Sequence, residues 1–325
     1  MSGRIALIAC SNGFGHSRRS MAIALELHRR GHEVTWFGPE EAFAYFRPLV
    51  AALHDKSNKF AVVPFNTGTS SHQLFRSPAE AMAWYRDLPS LNAFDLVISD
   101  NLLDILHIRS DAIISGHFLW SHVFKDLPTE FVVSETNLLQ QYQPPILAGQ
   151  PFTSPQLQSY PHLVEIGLCS LYDQHSTQKK DGSALLISAG RGGALSISLG
   201  GFLVELVKHK PKVFDVVYVE PHVLQTIDPP CWLRPADYST SMYSMLGAAI
   251  CRPGIGTVTE CLQHAVRIFA LSEPDNLEVT HNGNVLQALG LGENCVSFTD
   301  AYERAVLYAS DETAHERNRL AITAH

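Results

Sequence analysis

Short apolar runs alternate with amphipathic stretches along the chain, and this alternation predicts an α/β fold. Strands buried on both faces of a parallel sheet are predicted at residues 4–10, 33–37, 60–65, 95–100 and 112–115. Helices are predicted between them, over about 17–30, over about 40–53 and from Pro78 onward. Ser17 is the expected N-cap of the first helix, because its hydroxyl can accept from a free backbone N–H.

The pattern stops between Pro144 and Gly182 and then restarts. Five prolines cluster there, which is typical of a linker. Further strands are predicted at 184–190, 216–221, 248–254 and 267–271, with a helix over 196–208 and a helical tail over 300–325. We therefore predict two Rossmann-like α/β domains facing a cleft, residues 1–150 and 184–325, joined by a linker over 151–183. The last helix is expected either on the second domain or back on the first.

Composition narrows the class of protein. The formal net charge of −8 argues against a nucleic-acid partner, which would favour a basic surface. Six cysteines without a CxxC pair predict reduced thiols in a cytoplasmic protein. No apolar run is long enough to span a membrane, and the first run is too short for a signal peptide. Peripheral contact with a membrane surface stays open, and the oligomeric state is not predicted.

The loop "SNGFGHSRRS" behind the first strand is the first candidate site. It lacks the third glycine of a dinucleotide fingerprint and the Lys-Ser/Thr of a P-loop. Gly13 and Gly15 allow a bound group to approach the backbone, and His16 can accept a proton at neutral pH. A tight turn with a solvated histidine fits the local sequence equally well.

Asp100 closes the strand "DLVISD" at the same sheet edge as His16. A carboxylate there could orient an imidazole and stabilise its cation. The alternative is that Asp100 caps a helix beginning at Leu102, and local sequence does not separate the two.

Two glycine-rich loops mark the second half. In "SAGRGG", Gly190 and its neighbours expose N–H groups that suit a diphosphate, and Arg191 could add charge-assisted bonds. A plain glycine-rich turn is the alternative. In "RPGIGTVTE", Gly254 and Gly256 open a helix whose first turn is a seat for an anion.

Within that second helix, Thr257 lies in the first turn and Glu260 one turn further on. The threonine adds to the anion seat, and the glutamate is within reach of ribose hydroxyls.

The second half resembles the donor-binding half of GT-B nucleotide-sugar glycosyltransferases, which include the lipid II N-acetylglucosaminyltransferase and UDP-dependent glycosyltransferases. The resemblance rests on "RPGIGTVTE", "RIFALSEPDNLEV" and "NGNVLQALGLG", in that order, and on "SNGFGHSRRSMAIALELHRRGHEVTWFGP" at the N-terminus. It covers roughly residues 4–38 and 185–292. A GT-B fold is what the resemblance implies.

The resemblance also assigns roles. It makes His16 the catalytic base with Asp100 as its partner. Gly13, Gly15 and His117 are expected on the acceptor side. The residues expected to bind the donor nucleotide sugar are Gly190, Arg191, Trp232, Arg234, Gly254, Gly256, Thr257, Glu260, Glu278 and Asn282. Val279 replaces the glutamine that usually follows the acidic residue, so the donor sugar is left open.

The implied reaction is metal-independent transfer of a sugar from a UDP- or dTDP-linked donor to a hydroxyl of a small-molecule, lipid or glycan acceptor. A hexosyl group and an inverting course are expected, with no cofactor and no metal, since the chain has no DxD triplet. Two alternatives remain. One is a nucleotide-sugar hydrolase, because "GFGHSRR" also resembles the GxGHxxR opening of such enzymes, where the histidine would activate water. The other is a GT-B protein that binds nucleotide sugars without turnover.

The acceptor loops are expected at 66–77 and 116–124. Phe118, Trp120 and Phe124 in the second loop either form an acceptor wall or belong to the core, and we favour the core.

Overall fold

The computed structural model describes residues 2–54, 59–68, 83–171, 182–190, 194–208, 213–225, 227–273, 275–311 and 313–323. The chain divides into two compact units, Met1–Leu171 and Tyr172–His325. Residues 151–171, expected in the linker, thus belong to the first unit, which extends beyond the range 1–150 that the sequence predicted. The helix expected from Pro78 begins outside the described residues.

The first unit is built on a parallel sheet. Its strands are β1 (Arg4–Ile8), β2 (Glu33–Gly38), β3 (Phe60–Pro64), β4 (Leu96–Asp100), β5 (Ile113–Ser115), β6 (Ile146–Gly149) and β7 (Leu163–Ile166). Its described helices are α1 (Phe14–Arg29), α2 (Glu40–His54), α3 (Trp120–Val123), α4 (Thr129–Tyr142) and α5 (Pro155–Gln158), with 3-10 turns at Trp84–Asp87 and Leu103–His107.

The described strands of this sheet lie in the order β3-β2-β1-β4-β5-β6-β7. The order runs outward in both directions from the β1–β4 pair, so the connections after β1 and β4 leave toward opposite sides. Such a switch point leaves a crevice at the carboxyl ends of the two strands, where ligands of open α/β sheets bind.

Strands β6 and β7 fall in the proline-rich stretch and were missed by the sequence analysis. β6 has only four residues and follows two prolines, and β7 at the sheet edge has two exposed residues among four. Neither therefore presents the continuous apolar run by which a buried parallel strand is recognised.

Helix α1 begins at Phe14, so the predicted cap at Ser17 is wrong. Gly13 is the N-cap residue, with φ of +93°, a backbone conformation that favours glycine. Phe14 then packs edge-on against Tyr45 and stacks on Phe46, with ring centroids 4.7 and 5.5 Å apart. Ser17 is buried inside the helix. The helix begins earlier than predicted because apolar contacts, rather than a side-chain cap, fix its first turn.

The second unit repeats the plan with a second parallel sheet. Its strands are β8 (Ala184–Ser188), β9 (Val216–Val219), β10 (Leu233–Pro235), β11 (Leu246–Cys251), β12 (Arg267–Leu271) and β13 (Gly292–Cys295). Its described helices are α6 (Ala194–Leu206), α7 (Pro221–Leu224), α8 (Thr240–Met245), α9 (Ile255–Gln263), α10 (Leu277–Ala288), α11 (Phe298–Ala309) and α12 (Ala314–Thr323).

The described strands of the second sheet lie in the order β10-β9-β8-β11-β12-β13, with the switch point between β8 and β11. The predicted two Rossmann-like α/β folds are therefore confirmed. β10 and β13 were not predicted, since they have three and four residues and little apolar sequence. The last helix, α12, contacts its own unit, where Asn318 Nδ2 donates to the Ala265 carbonyl at 3.0 Å.

Two predictions on composition can be checked against the structure. All six cysteines lie in described ranges and none is in a disulfide, as predicted. None of the helices formed by the described residues combines the length and the apolar character that crossing a lipid bilayer requires.

Candidate functional site

His16 and Asp100 meet at the switch point of the first sheet. His16 is the third residue of α1, in its first turn, and Asp100 is the last residue of β4. The two side chains are joined by a hydrogen bond of 2.8 Å between His16 Nδ1 and Asp100 Oδ2. The alternative in which Asp100 caps a following helix is not what the structure shows, because the 3-10 turn after β4 has no side-chain cap.

Asp100 is completely buried, with 0% of its side chain exposed. Ser115 Oγ donates to its Oδ1 at 3.1 Å, and Arg19 donates to the same oxygen. Burial by itself raises the pKa of Asp100, but the charges and hydrogen bonds of Arg19 and His16 outweigh it and hold that pKa below its ordinary value. Asp100 is therefore an ionised carboxylate at neutral pH.

The His16 ring is oriented for proton transfer. A carboxylate only accepts, so His16 Nδ1 donates to Asp100 and Nε2 is the nitrogen with the free lone pair. Trp120 and Phe118 pack on the ring, with centroids 5.5 and 6.1 Å away. This arrangement of imidazole and buried carboxylate can take a proton from a hydroxyl and stabilise the resulting cation.

Phe118 and Trp120 are buried in the hydrophobic core, as favoured from the sequence, and Phe124 packs against that core. Trp120 is fixed further, since its Nε1 donates to the Asn101 carbonyl at 2.8 Å. These core side chains thus hold the His16 ring in place by packing against it.

Arg19 was missed by the sequence analysis. It follows His16 by three residues on α1, and side chains at that spacing lie on the same helix face. The spacing alone could have suggested that the two side chains share a partner, although not which one.

The three residues expected on the acceptor side differ in how far they are exposed. Gly13 is exposed at the start of α1, and Gly15 lies in its first turn. His117 is buried, with its Nδ1 2.9 Å from Arg19 Nη1. An acceptor-side role for all three stays a prediction.

At the carboxyl ends of the strands of the second sheet, mainly backbone atoms form the candidate site. Gly190 follows β8 with φ of +75°, and its N–H donates to Glu220 Oε1 at 2.8 Å. The same carboxylate accepts from Ala189 N at 3.1 Å and from the Ser188 hydroxyl. Burial raises the pKa of Glu220, against the effect of these donors. Glu220, which the sequence analysis did not single out, holds this loop. Arg191 lies outside the described residues.

Helix α9 begins beside this loop, at the end of β11. Gly254 is its N-cap residue, and Gly256 and Thr257 lie in its first turn, half-buried. Arg252, between β11 and α9, forms an ion pair of 2.7 Å with Glu273. The dipole of a nine-residue helix and its free N–H groups suit an anion at this end.

Glu260 is the sixth residue of α9 and only 2% exposed. Asn282, on α10, is fully buried, and its Nδ2 donates to the Pro253 carbonyl at 2.9 Å, which fixes the turn before α9. Glu278 is half-buried in the first turn of α10, next to the buried Val279. Contacts of Glu260, Glu278 and Asn282 with a donor stay predictions.

Contact of Trp232 with a donor stays a prediction. Its ring packs in the hydrophobic core of the second unit, and its carbonyl accepts from Val217 N at 2.8 Å. The ring is buried because β10 pairs with β9 directly after it. Arg234 is exposed on β10.

No protein-family model matches the chain, and no curated protein matches it in sequence. Solved structures match its fold. LpCGTa, solved in complex with UDP, aligns with a TM-score of 0.63 at 15% identity, over 99% of this chain and 94% of that chain. CalG4, the calicheamicin glycosyltransferase, gives 0.60 at 17% identity, over 100% and 95%.

A plant enzyme gives the same result. Arabidopsis thaliana UGT89C1, complexed with quercetin, aligns with a TM-score of 0.63 at 13% identity, over 100% of this chain and 93% of that chain. With its two parallel sheets and interleaved helices, the chain has the GT-B fold of these glycosyltransferases.

Proposed function

We propose that the protein is a glycosyltransferase that moves a sugar, a hexosyl group, from a UDP- or dTDP-linked donor to an acceptor hydroxyl. The observation that carries the proposal is the His16–Asp100 pair at the switch point of the first sheet, with Nε2 of His16 left for a substrate. The fold likeness to glycosyltransferases, one solved with UDP and one with quercetin, supports the class of reaction.

In this proposal His16 is the general base. Its Nε2 takes the proton of the acceptor hydroxyl while the oxygen attacks the anomeric carbon of the donor. The bond from that carbon to the diphosphate oxygen breaks, and the nucleoside diphosphate leaves with the electron pair. A single displacement of this kind inverts the anomeric centre. Asp100, ionised and buried, stabilises the imidazolium until the proton is released.

The second unit would bind the donor nucleotide. The N-terminus of α9 can stabilise the charge that develops on the diphosphate, which is the electrostatic work that a metal ion does elsewhere. Metal independence belongs to the proposal, as do contacts of Glu260 with the ribose and of Glu278 with the sugar. The protein acts, in this proposal, in the cytoplasm.

The test is turnover of radiolabelled nucleotide sugars with and without acceptors. A thermal-shift screen first selects the donor, since a ligand at 100 times its Kd stabilises by about 2.7 kcal/mol. Acceptor-dependent transfer, with chelator present, supports the proposal. Acceptor-independent release of free sugar would identify a hydrolase in which His16 activates water. Stabilisation without any turnover would identify a binding protein.

A further inference from the structure

Arg19 is bound to the same carboxylate as the proposed base. Its side chain is 11% exposed, and both Nε and Nη2 contact Asp100 Oδ1, at 2.8 and 2.6 Å. Its third nitrogen, Nη1, lies 2.9 Å from His117 Nδ1. The guanidinium of Arg19 thus contacts Asp100 and His117 directly, and Asp100 links it to His16.

These contacts fix where the protons lie on both rings. A guanidinium only donates, so His117 Nδ1 accepts from Arg19 and the proton of His117 is on Nε2. His16 Nδ1 donates to Asp100, so Nη2 of Arg19, 3.3 Å from that nitrogen, makes a close approach of two donors and no hydrogen bond. His16 and His117 are therefore held in opposite tautomers.

The charges around Asp100 come from several elements. Arg19 and His16 lie on α1, Ser115 and His117 at the end of β5, and the Cys169 thiol lies close enough to interact with Arg19 and Asp100. Within the described residues, Asp100 is the carboxylate that both Arg19 and His16 contact. An extra proton on His16 would therefore share this carboxylate with the guanidinium of Arg19.

We infer that Arg19 is a positioning residue that holds Asp100 against His16 Nδ1 and fixes the tautomers of His16 and His117. The guanidinium holds Asp100 in the orientation that meets His16 Nδ1, and its positive charge opposes protonation of the pair before substrate arrives. The effect on catalysis rests on the proposed function, but the effect on protonation does not.

The protonation can be measured without any substrate. Long-range 15N–1H NMR on protein with labelled histidine identifies the tautomers and follows proton uptake, and the His16 signals are those lost in His16→Gln. In Arg19→Gln we expect the His16–Asp100 pair to take up its proton about 1 pH unit higher, since a neighbouring charge within a few ångströms shifts titration by one to three units. The fixed tautomer of His117 should be lost as well.

Arg109→Gln is the matched control. Arg109 is also in the first unit and 12% exposed, and it binds Asp111 through two nitrogens, but it has no contact with His16 or Asp100. We expect no change in the histidine spectra of this variant. Arg19→Lys keeps the charge without the planar fork, so proton uptake should return to the parent range while the His117 tautomer stays mixed.

Kinetics then separate positioning from mere structure. In Arg19→Gln, the acid limb of the kcat/KM profile should move up by the same amount as the NMR titration, with activity recovering at high pH. A structural role would lower the rate at all pH values without moving the limb. Unchanged titration and tautomers in folded Arg19→Gln overturn the inference. Should that variant not fold, a parent-like fixed tautomer of His117 in Arg19→Lys overturns it. A protein that shows the NMR shifts but transfers no sugar contradicts the proposed function alone.

Discussion

The switch points of the two sheets are built in opposite ways. At the first, side chains meet: Asp100 is fully buried and receives hydrogen bonds from His16, Arg19 and Ser115. At the second, glycine backbone forms the edge, and the buried carboxylate of Glu220 lies beneath the loop as its anchor. A proton acceptor must be held in one place, whereas an anion needs free N–H groups and space. We interpret the first edge as the site of chemistry and the second as the site of binding.

The largest effect should come from His16→Ala. Loss of a general base typically costs 10²–10⁴-fold in rate, so kcat should fall by about that factor while UDP affinity stays within about twofold. Steady-state kinetics and calorimetry on the same preparation measure both. Asp100→Asn should cost less, because it discharges the partner but leaves the ring in place.

The exposed His162 of the same unit provides the control, and His162→Ala should behave as the parent protein. Parent-like turnover by His16→Ala would refute the assignment of the base and would leave Asp100, His117 and His122 as candidates.

The first unit also contains buried carboxylates away from its edge. Burial, against a hydrogen bond from Trp84, raises the pKa of Asp104 to about 7, and Asp104 lines a small cavity together with Glu135. Because the folded state holds this proton more tightly than the unfolded chain, stability is greatest below the unfolded pKa and falls as pH rises toward 7. Between pH 5 and pH 8 this one group should remove about 2–3 kcal/mol.

Urea titrations at several pH values test this prediction. They give the slope of the unfolding free energy against pH, which is compared between Asp104→Asn and the parent protein. Between pH 5 and pH 8, the unfolding free energy of Asp104→Asn should fall by about 2–3 kcal/mol less than that of the parent. The unfolding free energy of Asp87→Asn, at an exposed position, should fall as it does in the parent. Equal slopes in all three proteins would show that Asp104 is ionised in the folded state.

At the second edge, Glu260→Ala should weaken UDP binding by about 1–3 kcal/mol, the scale of a lost hydrogen bond to a charged group. Its turnover at saturating donor should change much less than that of His16→Ala. Calorimetry with UDP measures the affinity, and Glu303→Ala, at an exposed position of the same unit, is the control. Unchanged affinity would mean that Glu260, already buried, has a structural role only.

The smallest expected effect concerns Glu220, whose carboxylate holds the loop after β8. In Glu220→Gln an amide nitrogen replaces one oxygen and faces an N–H donor, so unfolding should become easier by about 1 kcal/mol. UDP affinity should fall by a similar amount, since Gly190 loses a fixed position. Chemical denaturation and calorimetry measure the two, with Glu205→Gln on the exposed face of α6 as control. Lost stability with unchanged UDP affinity would show that this loop does not contribute to nucleotide binding.

Sequence patterns predicted those features that depend on neighbours along the chain or on the geometry that all parallel sheets share. Strand β12 was predicted with its observed bounds, Arg267–Leu271, because the apolar run Ile268–Leu271 lies between Arg267 and Ser272. The pairing of His16 with Asp100 was predicted as one of two alternatives, because parallel strands bring their carboxyl ends to one edge.

Features that depend on tertiary contacts were missed. The contact of Arg19 with Asp100 joins residues 81 positions apart. The burial of the Trp232 ring depends on the pairing of β10 with β9, and β10 is too short to show a pattern. The start of α1 was misplaced because the packing of Phe14 against Tyr45 and Phe46, which belong to α2, fixes its first turn.

The division of work between the two edges is tested most directly by hydrogen exchange with and without UDP. The peptide that covers Arg252–Glu260 should gain protection on binding, because the free N–H groups in the first turn of α9 would bind the diphosphate. Peptides that cover Gly13–Arg19 and Ile98–Asn101 should change much less. Protection confined to the peptides of the first edge would contradict the account, because the nucleotide would then bind at the edge assigned to chemistry.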